Sequence, residues 1–427
     1  MGGLLRWWGL AVGDLRATTS PAEISTNRPT ASSTTRTAPR GNSATAGTRE
    51  CQPGSGTREC QPGSAVFGHV MDYGWFGPFA ETVDWAVVIV DAHTDVLLEL
   101  VVRDEAAPSF ELVLLQGEAS VFERYWLPRL AAGGVGVQIC PLYGEGARRR
   151  DARERTLAQE AAFKHIVEEN AEQVCQVHTR ADLHDPRLRL VLSMEGAEPL
   201  EGDPCAFEEW YERGVRTASL TWNHPNEFAG GIETPTQGLT ERGRALVRRF
   251  GELGVILDLA HASEQTWHDV LKEGLVPFSV THAGCRAIRD HPRNLSDWQL
   301  EALAEREGVL GMMAISWAVD PDAPTLSRWL DHFDHAVGVM GIEHVGLGAD
   351  FVDQVRPTEQ GLSLDDDVPQ SEMGQLAKMR FALDGVIGPE DFPSLVTALR
   401  GRGYDGQRLE AIMSRNWLRI LREALPP

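Results

Sequence analysis

Eight short apolar runs punctuate the chain after residue 84, and longer stretches with charged residues along one side separate them. The runs are WAVVIVD (85–91), GVGVQIC (134–140), LRLVLSM (188–194), VRTASLT (215–221), GVILDLA (254–260), VPFSVT (276–281), GVLGMMAI (308–315) and EHVGLGA (343–349). Their apolar residues are near-continuous rather than alternating, which is the pattern of parallel strands buried on both faces. Residues 151–177 keep Leu157, Ala161, Ile166, Val167 and Val174 on one stripe and predict a helix. A second helix is predicted over 240–252 with Thr240 as N-cap, and a third over 296–307 with Ser296 as cap and Asp297 in its first turn. Eight strands alternating with helices predict an α/β fold, a (β/α)8 TIM barrel. A doubly wound open sheet is the second choice. It ordinarily carries a glycine-rich phosphate loop after its first strand, and the residues after Asp91 are not glycine-rich.

The beginning of the chain has a different texture. Residues 16–64 are rich in Thr, Ser, Ala, Pro, Gly and Arg, and contain GTRECQPGS twice in tandem, at 47–55 and 56–64. Such a segment buries too little apolar surface to offset its ordering entropy. Residues 1–65 are therefore expected to be a disordered low-complexity leader, and 66–427 a single barrel domain. The opening MGGLLRWWGLAVGDL makes a poor signal peptide, since Asp14 interrupts its apolar stretch and no small-residue cleavage site follows.

Charge narrows the partners. The net charge is −22, yet the first 64 residues carry seven arginines against four acids, so the remainder holds −25. A strongly acidic body disfavours nucleic acid and anionic membrane surfaces, and no apolar run reaches membrane-spanning length. The six cysteines (51, 60, 140, 175, 205, 285) form no CxxC pair, which removes zinc-ribbon and thioredoxin readings. The four in the body are expected to be plain thiols, suited to a reducing compartment. A cytoplasmic location is the expectation, with secretion left open.

The strand ends carry the candidate chemistry. The first run ends VDAHTD, placing His93 and Asp95 two apart and hence on one face. The third ends at Glu195, the fifth leads to His261, the sixth to His282 and the eighth to Asp350. In a barrel all six gather at the C-terminal rim, where active sites of this fold sit. Three neutral imidazoles with two or three carboxylates make a donor set suited to zinc. Two ions need a bridging carboxylate, and Glu195 is the acid at the end of an interior strand. The expected arrangement is two Zn2+, with His93, Asp95 and Glu195 on one ion and Glu195, His261 and His282 on the other. A hydroxide shared between the ions would be the nucleophile, and Asp350 the general base. The remaining histidines (69, 165, 178, 184, 268, 332, 335, 344) read as surface or packing residues.

These motifs are specific enough to identify a resemblance. From about 85 to 423 the chain resembles the membrane (renal-type) dipeptidases, peptidase family M19 of the amidohydrolase superfamily. The matching segments are VDAHTD (90–95), LSMEGAEPL (192–200), GVRTASLTWN (214–223), GLTERGRALVRRFGELGVILDLAHAS (238–263), SVTHAGCRAIRDHPRNLSD (279–297), HVGLGADF (344–351) and RNWLRIL (415–421). The resemblance implies a zinc-dependent dipeptidase acting on free dipeptides, with tolerance of a C-terminal D-residue, and a homodimer. It places the family's metal ligands on His93, Asp95, Glu195, His261 and His282, and its last-strand acid on Asp350. It also puts an arginine that binds the dipeptide's C-terminal carboxylate at Arg293, where a guanidinium fork matches a carboxylate bidentately. One position departs. The family's histidine near the scissile carbonyl falls on Trp222, so His224, two residues on, is the candidate replacement, and Asn223 a candidate hydrogen-bond donor to substrate.

Two other readings are weighed against this. One is a different amidohydrolase, acting on N-acyl amino acids or lactones. Such barrels commonly bridge their metals with a modified lysine from strand four or begin with HxH. Here the three lysines (164, 272, 378) lie elsewhere and the motif is HTD. The other is a non-catalytic, metal-stabilised barrel. The loop 352–374 is expected to lid the rim.

Overall fold

The computed structural model describes residues 88–97, 101–103, 110–112, 122–144, 151–274, 277–351 and 382–427. The eight predicted strands are all present: β1 (Ile89–Asp91), β2 (Val135–Tyr143), β3 (Leu188–Glu195), β4 (Val215–Ser219), β5 (Ile256–Asp258), β6 (Phe278–Ala283), β7 (Leu310–Met312) and β8 (Val345–Leu347). Each pairs in parallel with its neighbours in chain order, and β1 pairs with both β2 and β8. The ring therefore closes, and the open doubly wound sheet is set aside. Beside the barrel lie a small antiparallel pair, Val101–Arg103 with Phe110–Leu112, and a short strand Val174–Gln176 on the flank of β3.

Helices fill the crossovers: α1 (Leu127–Gly133), α2 (Ala152–Glu169), α3 (Phe207–Glu212), α4 (Glu241–Leu253), α5 (Glu264–Glu273), α6 (Asp297–Glu305), α7 (Leu326–Met340), α8 (Phe392–Gly401) and α9 (Asn416–Ala424). Their starts obey local chemistry. Thr240 Oγ1 accepts from Gly243 N at 3.1 Å, and Ser263 Oγ from Thr266 N at 3.0 Å. At α6 both the backbone N and the Oγ of Ser296 donate to Gln299 Oε1, at 3.0 and 2.9 Å.

The helix expected over 151–177 is shorter than its apolar stripe suggested. It ends at Glu169, where Asn170 Nδ2 donates back to Ile166 O at 2.9 Å. Val174–Gln176 instead pairs with Leu188–Leu190 of β3. A short apolar run carries no periodicity of its own, and an available strand edge decided its conformation.

Side-chain alternation sorts the strands between two apolar clusters. Residues such as Ile89, Cys140, Leu142, Leu190 and Leu192 join the helices in the larger one. Val90, Val137, Ile139, Val191 and Ile256 form the second with Trp417, Ile420 and Leu421 of α9. Trp417 Nε1 lies 2.5 Å from where a Cβ on Gly346 would stand, so β8 can carry only glycine there.

All described residues belong to one compact unit spanning Met71–Pro427. The expected leader at 1–65, the domain boundary after it and the lid at 352–374 lie outside the described residues. Among the described residues no helix is long and apolar enough to cross a membrane. Cys140, Cys175 and Cys285 are buried free thiols, as expected. Cys205 is disulfide-bonded, a correction to the expectation of plain thiols throughout. It lies half-buried in the turn Pro204–Ala206 rather than inside the core, so its sulfur is accessible to a partner.

Candidate metal centre

Each strand end delivers its residue to the same mouth. His93 follows β1 and is fixed by its own carbonyl, which accepts from Asp350 N at 2.9 Å. The segment around it rests on Asp91, a fully buried carboxylate at the end of β1. Asp91 Oδ2 accepts from Thr94 Oγ1 at 2.6 Å and Oδ1 from Ala349 N at 2.9 Å, tying the exits of β1 and β8 together. Burial raises the Asp91 carboxyl to about 6, against the pull of these donors.

Glu195, the last residue of β3, sits at the centre. Its Oε1 is 3.3 Å from His261 Nε2 and 3.5 Å from His282 Nε2, while Oε2 is 3.7 Å from His93 Nε2. His93 Nε2 in turn lies 3.9 Å from Asp95 Oδ1 and 3.8 Å from Asp350 Oδ1. His93, Glu195 and His282 place one donor atom each within 4.8 Å of one another, as a cation site requires. The five predicted ligands and Asp350 are thus brought together.

The hydrogen bonds behind two of the imidazoles decide which nitrogen faces inward. Asp258, on β5, accepts at Oδ1 from Thr281 N and at Oδ2 from Thr281 Oγ1, at 3.0 and 2.5 Å. With that hydroxyl proton committed to Asp258, Thr281 Oγ1 can only accept from His282 Nδ1, 2.9 Å away. His261 Nδ1 likewise faces the carbonyl oxygen of Asn223, Oδ1, at 2.8 Å and must donate. Both Nε2 atoms therefore present lone pairs, and they lie 2.9 Å apart. Two lone pairs that close, beside a carboxylate oxygen, are mutually repulsive unless a cation lies between them. The donor set fits metal ions on this ground, with the back-side bonds that ligating histidines ordinarily carry.

Electrostatics agree. Burial, and then the Arg293 charge, hold His93 down at about 3 and His261 well below its usual value. Burial does the same to His282, reinforced by His93 and Arg293. All three imidazoles are thus neutral and ready to ligate near pH 7. Burial and the neighbouring Asp95 and Asp350 push the Glu195 carboxyl well up. Burial raises Asp350 to about 7, against the opposing pull of Arg293. A bound cation reverses such shifts, because it favours the charged form of every carboxylate around it.

Arg293 is only 4% exposed, and its Nη2 donates to His282 O at 3.2 Å. It is the nearby positive charge that offsets Glu195, Asp258 and Asp350. Two of the site residues are also backbone outliers: His261 has φ +61° and Asp350 φ +56°. Non-glycine residues in that region cost about 1–3 kcal/mol and persist where surrounding structure over-determines them.

The segment after β4 splits its predicted roles. Trp222 lays its indole 5.4 Å from the His261 ring at 32°, and Asn223 holds the same histidine at Nδ1. His224 turns to Glu233, with Nε2 3.2 Å from Oε2. Asp258 and Thr281 escaped the sequence reading. A carboxylate within the apolar run GVILDLA was the available signal, since a charge inside a strand calls for a partner.

The model of the family described as membrane dipeptidase (peptidase family M19) matches residues 79–370. A Klebsiella pneumoniae relative, "Uncharacterized protein in pqqA 5'region", is 29% identical over 281 residues, covering 62% of this chain and 94% of its own. Dipeptidase aclJ of Aspergillus oryzae is 29% identical over 319 residues, 69% of this chain and 68% of its own. Among solved structures, a metallo peptidase from Rhodobacter sphaeroides, liganded with a phosphinate mimic of L-Ala-D-Ala, superposes with TM-score 0.64 at 24% identity, over 79% of this chain and 99% of its own. An amidohydrolase from Pseudomonas aeruginosa superposes with TM-score 0.63 at 19% identity, over 80% and 97%. Both structural likenesses concern the fold.

Proposed function

The chain belongs to the membrane dipeptidase family, peptidase family M19, and from that premise we propose a two-zinc dipeptidase that hydrolyses free dipeptides, including those with a C-terminal D-residue. The observation that carries this reading is the split of Glu195: Oε1 faces His261 and His282 at 3.3 and 3.5 Å, and Oε2 faces His93 at 3.7 Å. A carboxylate placed in this way could serve two ions. His93, Asp95 and Glu195 would hold one, and Glu195, His261 and His282 the other. When bound, such ions supply an acidified water and a polarised scissile carbonyl.

The chain's own residues do the rest. Arg293 pairs with the substrate's free carboxylate and so sets where the amide lies. Asp350 takes the proton from the attacking water as the C–O bond forms, and delivers it to the leaving amine as the C–N bond breaks. Asp350 N donates to His93 O, which ties the backbone of the proposed base to that of a proposed ligand. Burial of the cluster excludes bulk water and strengthens each of these interactions. His224 keeps its place as the candidate beside the scissile carbonyl, with its Nε2 held 3.2 Å from Glu233 Oε2.

The test is elemental analysis of the purified protein together with a screen of L,L and L,D dipeptides, N-acyl amino acids and lactones. Two zinc per chain and dipeptide hydrolysis abolished by chelation are expected. Cleavage confined to lactones or N-acyl amino acids, with no dipeptide cleaved, would overturn the peptidase assignment.

A further inference from the structure

We propose that Tyr143 and Trp222 form an aromatic wall that receives the side chain of the dipeptide's N-terminal residue and selects large apolar ones. This rests on the dipeptidase reading and on Arg293 as the anchor for the C-terminal carboxylate.

Strand order supplies the placement. Tyr143 is the last residue of β2, and Trp222 lies three residues past β4, so the pair spans the arc of the mouth centred on β3. Arg293 lies beyond β6 on the far arc, bonded to His282 O. A dipeptide with its carboxylate on Arg293 and its amide over the Glu195 cluster must send its N-terminal residue toward the β2–β4 arc. There it meets two rings in edge-to-face contact, with centroids 5.4 Å apart at 82°.

The two rings differ from the fully buried tryptophans of the core. Trp126, Trp210, Trp267, Trp329 and Trp417 are fully buried core residues. Tyr143 and Trp222 are half-buried. Their backbones are also held firmly. Tyr143 N donates to Gln159 Oε1 at 2.7 Å. The Trp222 segment is clamped by Asn226, whose Nδ2 donates to Leu220 O at 2.7 Å and to buried Glu198 Oε1 at 2.8 Å. The same Asn226 accepts from Phe228 N at 2.9 Å through Oδ1. A preorganised aromatic surface binds an apolar side chain without ordering cost of its own. Neither ring carries a charge to pair with a Lys or Asp side chain, which would lose hydration against them; the Arg155 guanidinium lies 5.9 Å from the Tyr143 ring centre as a charged neighbour of the wall.

The test is a panel of X-Ala dipeptides (X = Gly, Ala, Leu, Phe, Asp, Lys) with the metal-loaded full chain, for wild type, Trp222→Ala, Trp222→Leu and Tyr143→Leu. Wild type should prefer Leu and Phe over Gly in kcat/KM by about tenfold or more, the scale of apolar pocket discrimination. The alanine variant should collapse that ratio toward one, and the leucine variants should narrow the advantage of Phe while Leu retains more. Elemental analysis reports whether each variant keeps its metal, and Trp222→Leu keeps apolar volume over His261 should the alanine variant fail to fold. If the variants lose activity equally for every X, Trp222 acts only by supporting His261 and the wall is overturned. A wild type that favours Gly, Asp or Lys overturns it as well. A wild type that cleaves no dipeptide overturns the peptidase reading beneath it.

Discussion

Replacing Thr281 by valine removes one oxygen to which the sequence motifs assign no role, yet it should weaken metal binding on the His282 side. The hydroxyl donates to Asp258 Oδ2 at 2.5 Å and accepts from His282 Nδ1 at 2.9 Å. Valine is nearly isosteric, so the packing on β6 survives. What changes is that the Nδ1–H loses its acceptor and Nε2 loses its fixed orientation. Removing such a back-side partner costs about 10–100-fold in metal affinity, or roughly 1.4–2.8 kcal/mol at 1.4 kcal/mol per decade. The metal-free protein should lose about 1–3 kcal/mol of stability as well, since a buried donor is left unsatisfied. Thr281→Ser keeps both hydrogen bonds and should recover most of the affinity. The assay is equilibrium competition for zinc against a chromogenic chelator, with denaturant unfolding of the metal-free forms. Zinc dissociation constants within twofold of wild type at both sites for Thr281→Val would refute the Asp258–Thr281–His282 chain as the device that sets the tautomer.

Three further outcomes are expected. Asp350→Asn should cut kcat by about 10²-fold or more while metal content stays at the wild-type value, the loss typical of removing a general acid–base; unchanged turnover would end its assignment as base. Arg293→Ala should lower kcat/KM for free dipeptides by about 2–4 kcal/mol, with a C-terminally amidated dipeptide showing the same deficit on wild type; no deficit in the amide experiment would place Arg293 solely in balancing Glu195, Asp258 and Asp350. His332 is buried and held down at about 4 from 6.5, chiefly by desolvation, with Nδ1 accepting from Cys285 N at 2.9 Å. Its folded value lies below its unfolded one, so the unfolded chain takes up the proton first and stability falls as pH drops from about 6.5 to 4. That loss amounts to about 3 kcal/mol, and His332→Gln should flatten the slope of unfolding free energy across that window.

Much of this protein is legible in one dimension. Near-continuous apolar runs such as GVGVQIC and LRLVLSM report strands buried on both faces, and caps such as Thr240 and Ser296 act within a single turn, so the alternation that builds the barrel needs no tertiary information. The candidate ligand set is legible for the same reason. A strand delivers its terminal residue to a predictable rim, and His93, Asp95, Glu195, His261, His282 and Asp350 each end or follow a strand. Tertiary structure decided what depends on neighbours remote in sequence. Val174–Gln176 became a strand because the flank of β3 offered unpaired backbone groups, which its own composition does not announce. His224 pairs with Glu233 and Asn223 with His261, partners that position along the chain does not announce. The tautomers of His261 and His282 and the lone pairs they direct inward follow from hydrogen bonds between segments remote in sequence. Such bonds are specified by distance and direction in space, and spacing along the chain carries neither.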